Sequence, residues 1–402
     1  MVDTDRISPP YALLLLPAPP SSAVRQLKDA YGPAVSRVFS DLAKGPASRN
    51  RIAQLDIALV VPGILSPEYR PRSRIFASLQ RLLANLYTVI GAISAAQDVE
   101  LDGPGGVDVR VVFVDNTAPA SEAYGVPLQG PVIDLRTLAG SERGWDQVYV
   151  LDSAEGQQLA SAFKAYAGPS RSYITIPSGV ASAPHEPLLR ADADRGANIN
   201  DSVVLGGTFD HLHIGHKLLL TAMAFTLDPV DEPGNTEQRY FVVGITGDAM
   251  LVNKKYREFL ESWEERWHSV ASFLTAIIDF RPSKDNASAI QRIDQPGPNG
   301  KQVVVTISPN LSIRLVEISD PFGPTITEEN FRALIVSAET RAGGKAVNDE
   351  RAKKGWAPLE VLEVDVLQAG AVEEVADTTA QSFESKISST DIRRRRMELS
   401  QG

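Results

Sequence analysis

Cysteine is absent from this chain of 402 residues. That excludes disulfides, thiolate zinc sites, iron–sulfur clusters and a cysteine nucleophile. A basic excess is also lacking: 40 Lys and Arg face 50 Asp and Glu, for a net charge of −10. Neither half therefore carries the electrostatic footprint of a nucleic-acid binder. No run approaches the roughly 18 apolar residues that a membrane helix needs. The apolar stretch 11–16 is too short for the core of a secretory signal. These absences lead to the expectation of a soluble, cytoplasmic protein with no nucleic acid and no transmembrane segment, compatible with mitochondrial association.

What is present is ordinary globular material, 43% apolar and 22% charged, long enough for two domains. Residues 11–176 alternate apolar runs with a helical pattern. The runs at 11–16, 55–61, 109–114, 147–151 and 173–176 predict strands. Ile75, Leu79, Leu82, Leu83 and Leu86 predict a helix over 74–96. Such alternation implies an α/β layer with a largely parallel sheet. Residues 181–200, small, polar and proline-bearing, predict a linker. A second α/β unit, 201–402, then begins. Its predicted strands are 203–205, 240–245, 303–307, 312–318, 333–336 and 361–366, and its predicted helices are 214–225, 261–280 and 391–399. The loops 228–238, 294–300 and 369–382 read as surface insertions. The fold class is α/β in two domains, 1–180 and 201–402.

Histidine is scarce, yet three of the five fall within six residues, in Gly206-Gly-Thr-Phe-Asp-His-Leu-His-Ile-Gly-His216-Lys217. An apolar strand runs into two glycines, so backbone can approach a ligand without Cβ interference. The following helix start offers free N–H groups and a positive dipole end, which His213 and His216 flank. These features describe a phosphate site at the carboxyl end of a parallel strand. Zinc is the weaker reading, because no second ligand set recurs and the glycines would go unexplained. Ser388, Ser389 and Thr390 precede another helical pattern, with Arg393 one turn inside. Hydroxyls and amides at such a start suit β- and γ-phosphates, and equally suit a plain N-cap.

The first motif resembles that of HxGH nucleotidyltransferases, which have a Rossmann-like parallel-sheet fold, and Ile387-Ser-Ser-Thr-Asp-Ile-Arg393 resembles their second. Gly244-Ile-Thr-Gly-Asp-Ala-Met-Leu-Val-Asn-Lys-Lys-Tyr256 and Val336-Ser-Ala-Glu-Thr-Arg-Ala-Gly-Gly344 narrow the resemblance to eukaryotic pantetheine-phosphate adenylyltransferases. It covers about residues 201–400. The resemblance implies transfer of the adenylyl group of ATP to 4′-phosphopantetheine, giving dephospho-coenzyme A and pyrophosphate. It implies that His216 stabilises the transition state, His213 contacts the triphosphate and Thr208 bonds the attacking phosphate. Phe209 would face the nucleotide through its backbone, beside Gly206, Gly207 and Asp210. Lys254 or Lys255 would pair with the substrate phosphate. Magnesium (Mg2+) is expected to arrive with ATP, held mainly by phosphates and water.

The bacterial Arg-Gly-Leu-Arg segment is replaced by Ile335-Val-Ser-Ala-Glu-Thr-Arg341, which makes Arg341 the candidate second cation beside Glu339 and Thr340. No Gly-x-x-x-x-Gly-Lys-Ser/Thr loop appears, so ribose phosphorylation is assigned elsewhere. Nicotinamide mononucleotide adenylyltransferases usually have Asn-Pro at Asp210-His211, and cytidylyltransferases have Arg-Thr-Glu-Gly-Ile-Ser before the last helix. A scaffold without catalysis is the reading from another class. Residues 1–180 carry no chemical motif. Asp115-Asn116 and Asp152-Ser153 read as strand-end caps. A docking or regulatory role toward other coenzyme A enzymes is the expectation for this half.

Overall fold

The computed structural model describes residues 9–43, 51–118, 129–168, 171–180, 187–193, 195, 199–229, 237–282, 289–365, 367, 383 and 387–400. The expected loop 369–382 lies outside the described residues, as does much of the expected linker.

Among the described residues the first half forms one six-stranded parallel sheet, in the order β4-β3-β2-β1-β5-β6. Its strands are β1 (Tyr11–Leu16), β2 (Ala53–Val60), β3 (Val107–Asp115), β4 (Val132–Asp134), β5 (Gln147–Leu151) and β6 (Tyr173–Ile176). Helices α1 (Val24–Ala43), α2 (Phe76–Gln97), α3 (Leu135–Gly140) and α4 (Ala154–Ala167) connect them. Strands buried on both faces read as continuous apolar runs, as Leu13 to Leu16 do. The strand-end residues serve as caps and loop locks. Ser153 accepts the Gly156 N–H (3.1 Å) at the start of α4, and Asp115 accepts the N–H groups of Gly63, Leu65 and Thr117.

The second sheet has the order β13-β12-β7-β8-β11-β10-β9. Strands β7 (Ser202–Gly207), β8 (Arg239–Thr246), β11 (Leu311–Ile318), β12 (Ala333–Ser337) and β13 (Glu360–Val364) are parallel. At one edge the direction changes: β10 (Lys301–Ser308) runs antiparallel to both β11 and β9 (Ala289–Asp294). Helices α5 (Ile214–Thr226), α6 (Trp263–Ile278), α7 (Arg341–Lys353) and α8 (Ser389–Ser400) accompany this sheet. A capping box, Ser262 with Glu265, starts α6.

The two sheets share one buried apolar cluster. Phe225 of α5 packs on Phe76 of α2 and Phe113 of β3, with ring centroids 5.5 and 6.3 Å apart. By length and composition, residues 72–97 could cross a membrane, but 78% of that window is buried inside the fold, as in a core helix. Asp228, just past α5, accepts the backbone N–H of Arg72 at 2.7 Å and of Asn200 at 2.9 Å.

Candidate active site

Strand β7 delivers the chain to the site. An added Cβ at Gly206 would meet only open space, whereas one at Gly207 would lie 3.0 Å from the Phe209 ring. The ring can therefore tuck beneath the strand end. The chain then turns sharply. Phe209 (φ 54°) and His211 (φ 48°) both occupy the left-handed region on either side of Asp210. Each such conformation costs on the order of 1 kcal/mol and persists only where its surroundings impose it.

Those surroundings are specific. Asp210 is buried; its Oδ1 accepts the Glu261 N–H (2.9 Å) and its Oδ2 pairs with Arg393. The His211 N–H donates to Glu261 Oε2 (2.9 Å), and its Nε2–H donates to the Phe259 carbonyl (2.8 Å). Burial works against charge on His211, but Glu261 and Asp210 outweigh it and raise its pKa. From α6, the fully buried Arg266 binds the carbonyls of Thr208 (2.7 Å) and Glu261 (3.0 Å) and the carboxylate of Asp248 (2.6 Å).

His213 occupies the N-cap position of α5 and His216 lies on its first turn. Their rings stack 3.8 Å apart, and Phe209 approaches His216 at 5.4 Å. Gly215 permits the stack, since a Cβ there would come within 3.1 Å of the His213 ring. Burial pushes His216 down to about 4 and His213 well below its usual value, so both are neutral at pH 7. Nδ1 of each is buried, so Nε2 is the atom available to a cleft-bound group.

The neutral histidines set the sign of an acid effect. Below about 6.5 the unfolded chain takes up protons that native His216 refuses until about 4. His216 thus costs stability as pH falls through that window, approaching about 3 kcal/mol at its lower end. Chemical denaturation at pH 7.5 and 4.5 checks this. The His216→Gln variant should lose less stability between the two than the wild type, and equal losses would contradict the assignment.

At the other wall, Ser388 caps α8 by accepting the Asp391 N–H (3.3 Å), and Ser389 donates to the Asp210 carbonyl (2.8 Å). Arg393 also lines the cleft. Its guanidinium is buried and engaged, by Nε with the Lys255 carbonyl (2.9 Å), by Nη1 with Asp210 and by Nη2 with Thr390 Oγ1 (3.1 Å). It ties the first motif, the lysine segment and the second motif together, where the sequence suggested a phosphate contact. Arg341 opens α7, lies exposed on the Glu363 carboxylate, and is absent from the residues lining the cleft. Lys254 lines the cleft, while Lys255 contributes its carbonyl to Arg393.

The cleft itself holds about 430 Å³ and is walled by Gly206 to Asp210, His216, Lys254, Ser337, Thr340, Ser388 to Thr390 and Arg393. Beside it, a void of about 590 Å³ reaches His213, Glu339 and Asp365. A third, of about 340 Å³, runs between Gly206, Gly244, Ile318, Phe322 and Val347 and is mainly apolar. Segments separated by up to about 180 residues therefore meet around one space. Asp210, His211 and Glu261 come close enough to share a cation. Their lone pairs, however, already face Arg393, the Glu261 N–H and the His211 N–H, so the trio pins the turn. Glu261, Arg266, Thr246 and Asp365 escaped sequence reading. Thr246 donates to the Gly207 carbonyl (3.2 Å), and no local spacing signals such a contact.

Comparison with known proteins agrees with this geometry. Residues 204–395 match the family described as cytidylyltransferase-like, and residues 1–182 match a domain of unknown function. The second half of the chain thus carries a cytidylyltransferase-like, nucleotidyltransferase-like domain. More narrowly, the chain is similar to proteins named phosphopantetheine adenylyltransferase. The Saccharomyces cerevisiae protein of that name is 34% identical over 203 residues, 50% of this chain and 51% of that one. That of Pyrobaculum aerophilum is 28% identical over 170 residues, 42% and 82%. An uncharacterized Schizosaccharomyces pombe protein is 32% identical over 253 residues, 62% of this chain and 64% of that one. The alignments thus span about half to two thirds of the two fungal relatives.

Proposed function

We propose that the chain transfers the adenylyl group of ATP to 4′-phosphopantetheine, forming dephospho-coenzyme A and pyrophosphate. The observation that supports this reading is the single cleft shared by His216, Lys254 and the Ser388–Thr390 helix start. A phosphate oxygen of the acceptor attacks the α-phosphorus in line as the bond to the pyrophosphate oxygen breaks. Charge rises on the non-bridging oxygens, and catalysis is positioning plus preorganised donors. On this reading His216 Nε2–H donates to the α-phosphoryl oxygens, and the first turns of α5 and α8 face the polyphosphate. Magnesium bound with ATP would shield the phosphate charge. The apolar void beside Gly206 suits an organic arm rather than phosphate. Cytoplasmic location belongs to the same proposal.

Lys254→Ala should raise KM for the phosphate-bearing acceptor about tenfold, the value of a lost charge-assisted bond. Lys255→Ala should leave it within about twofold, because only its carbonyl is used. Steady-state kinetics with both variants checks the pair. The reaction itself is tested with purified protein, ATP and magnesium, reading pyrophosphate release. Release is expected with 4′-phosphopantetheine and little with nicotinamide mononucleotide, or with phosphocholine and CTP. Preference for either rival, or silence with all three, would overturn the proposal.

A further inference from the structure

We propose that the first domain braces the cleft from within the same chain, with Asp108 of β3 as a positioning residue for the His213–His216 turn, acting through Lys217. This rests on the reading of that turn as the catalytic one. Lys217 follows His216 directly, and its backbone N–H closes the first turn of α5 onto the His213 carbonyl (3.1 Å). Its side chain is buried and crosses to the first domain, where its ammonium pairs with Asp108. Asp108 also accepts from Arg110 Nη2 (3.2 Å), and Arg110 reaches buried Asp56 behind it (3.7 Å). An ammonium buried this deeply needs its carboxylate, and the salt-bridged stem fixes the helix turn that aims both imidazoles. Without Asp108, the cation would stand uncompensated beside two neutral rings.

Other first-domain residues bear on the same parts of the cleft. A Cβ at Gly91 of α2 would lie 2.9 Å from Ile214, the first residue of α5, and 2.6 Å from Phe383. Gln80 of α2 exchanges hydrogen bonds of 2.9 and 3.0 Å with Asp365, on the wall of the 590 Å³ void. Arg395 of α8 pairs with Glu100, just after α2. The catalytic helix, the cleft wall and the second-motif helix each have a first-domain partner, an arrangement a loosely tethered docking module would not supply.

The test uses the full chain with Asp108→Asn, Lys217→Met and the double variant, read by hydrogen exchange and by kinetics. Asp108→Asn should raise exchange in residues 213–220 about tenfold while β8 stays protected. It should lower kcat about tenfold or more with both KM values within about threefold, as expected for misplacement. The double variant should be no slower than Asp108→Asn alone, because both changes break one link. Unchanged exchange in that turn, or effects that multiply, would overturn the proposal. If Asp108→Asn fails to fold, Lys217→Met carries the same readouts, since Asp108 keeps Arg110. Exchange needs no turnover: an inactive wild-type chain would sink the proposed reaction, while the brace would still be decided by exchange.

Discussion

His216→Ala is expected to lower kcat by a factor on the order of 10² or more, the usual loss for one preorganised transition-state donor. Folding should survive at pH 7. The imidazole is buried and stacked on His213, and its hydrogen-bonding neighbour is the His211 backbone, so removing it strands no charge. KM for both substrates should change little, because the donor acts mainly where charge develops. His216→Gln, which keeps an N–H but not its position, should recover only a small part. Steady-state kinetics with thermal unfolding separates these outcomes. Near-normal turnover in a folded His216→Ala protein would remove the residue from its role.

Arg393→Met should have the largest effect on stability, about 3–5 kcal/mol, the cost of breaking a buried ion pair from one side. The Asp210 carboxylate would remain buried with the Glu261 N–H and the nearby His211 ring as its remaining polar neighbours. Its neighbours Phe209 and His211, both at positive φ, would lose the clamp that holds them there. Activity should fall with stability, because Arg393 also ties Lys255 and Thr390 to the turn. Asp210→Asn combined with Arg393→Met should recover part of the stability by removing the stranded charge. Urea denaturation of the three variants measures this directly. A single-variant loss below about 1 kcal/mol would show that the pair is not the site's keystone.

Much of the architecture was legible where one element makes its own pattern. Strands 11–16 and 147–151 match to the residue, because buried parallel strands are apolar runs with polar or turn-forming neighbours, and the edge strand 173–176 matches although only Ile176 is buried. Helix α1 was not named, having Pro33 in its interior. Strand β9 is exposed along most of its length and so carries no alternation to read. Helix α7, with two glycines near its start, read as loop text around a motif. In the site, residues expected on one chain segment, Gly206 to His216, do meet the Ser388–Thr390 start and Lys254. Distances across the fold were beyond reach. Nothing in the text shows that Arg266 holds Thr208, that Arg341 turns to Glu363, or that Lys217 spends its charge on a domain a hundred residues upstream.

A crystal structure of the chain with dephospho-coenzyme A and pyrophosphate is the most direct measurement of the central claim, that both helix starts serve one phosphate chain. The expected density places the pyrophosphate bridge within hydrogen-bond reach of His216 Nε2 and next to the Gly206–Gly207 backbone, with the organic arm in the apolar void. Density in any other cleft, a bridge that leaves His216 without contact, or a pyrophosphate away from the start of α8, would contradict the account.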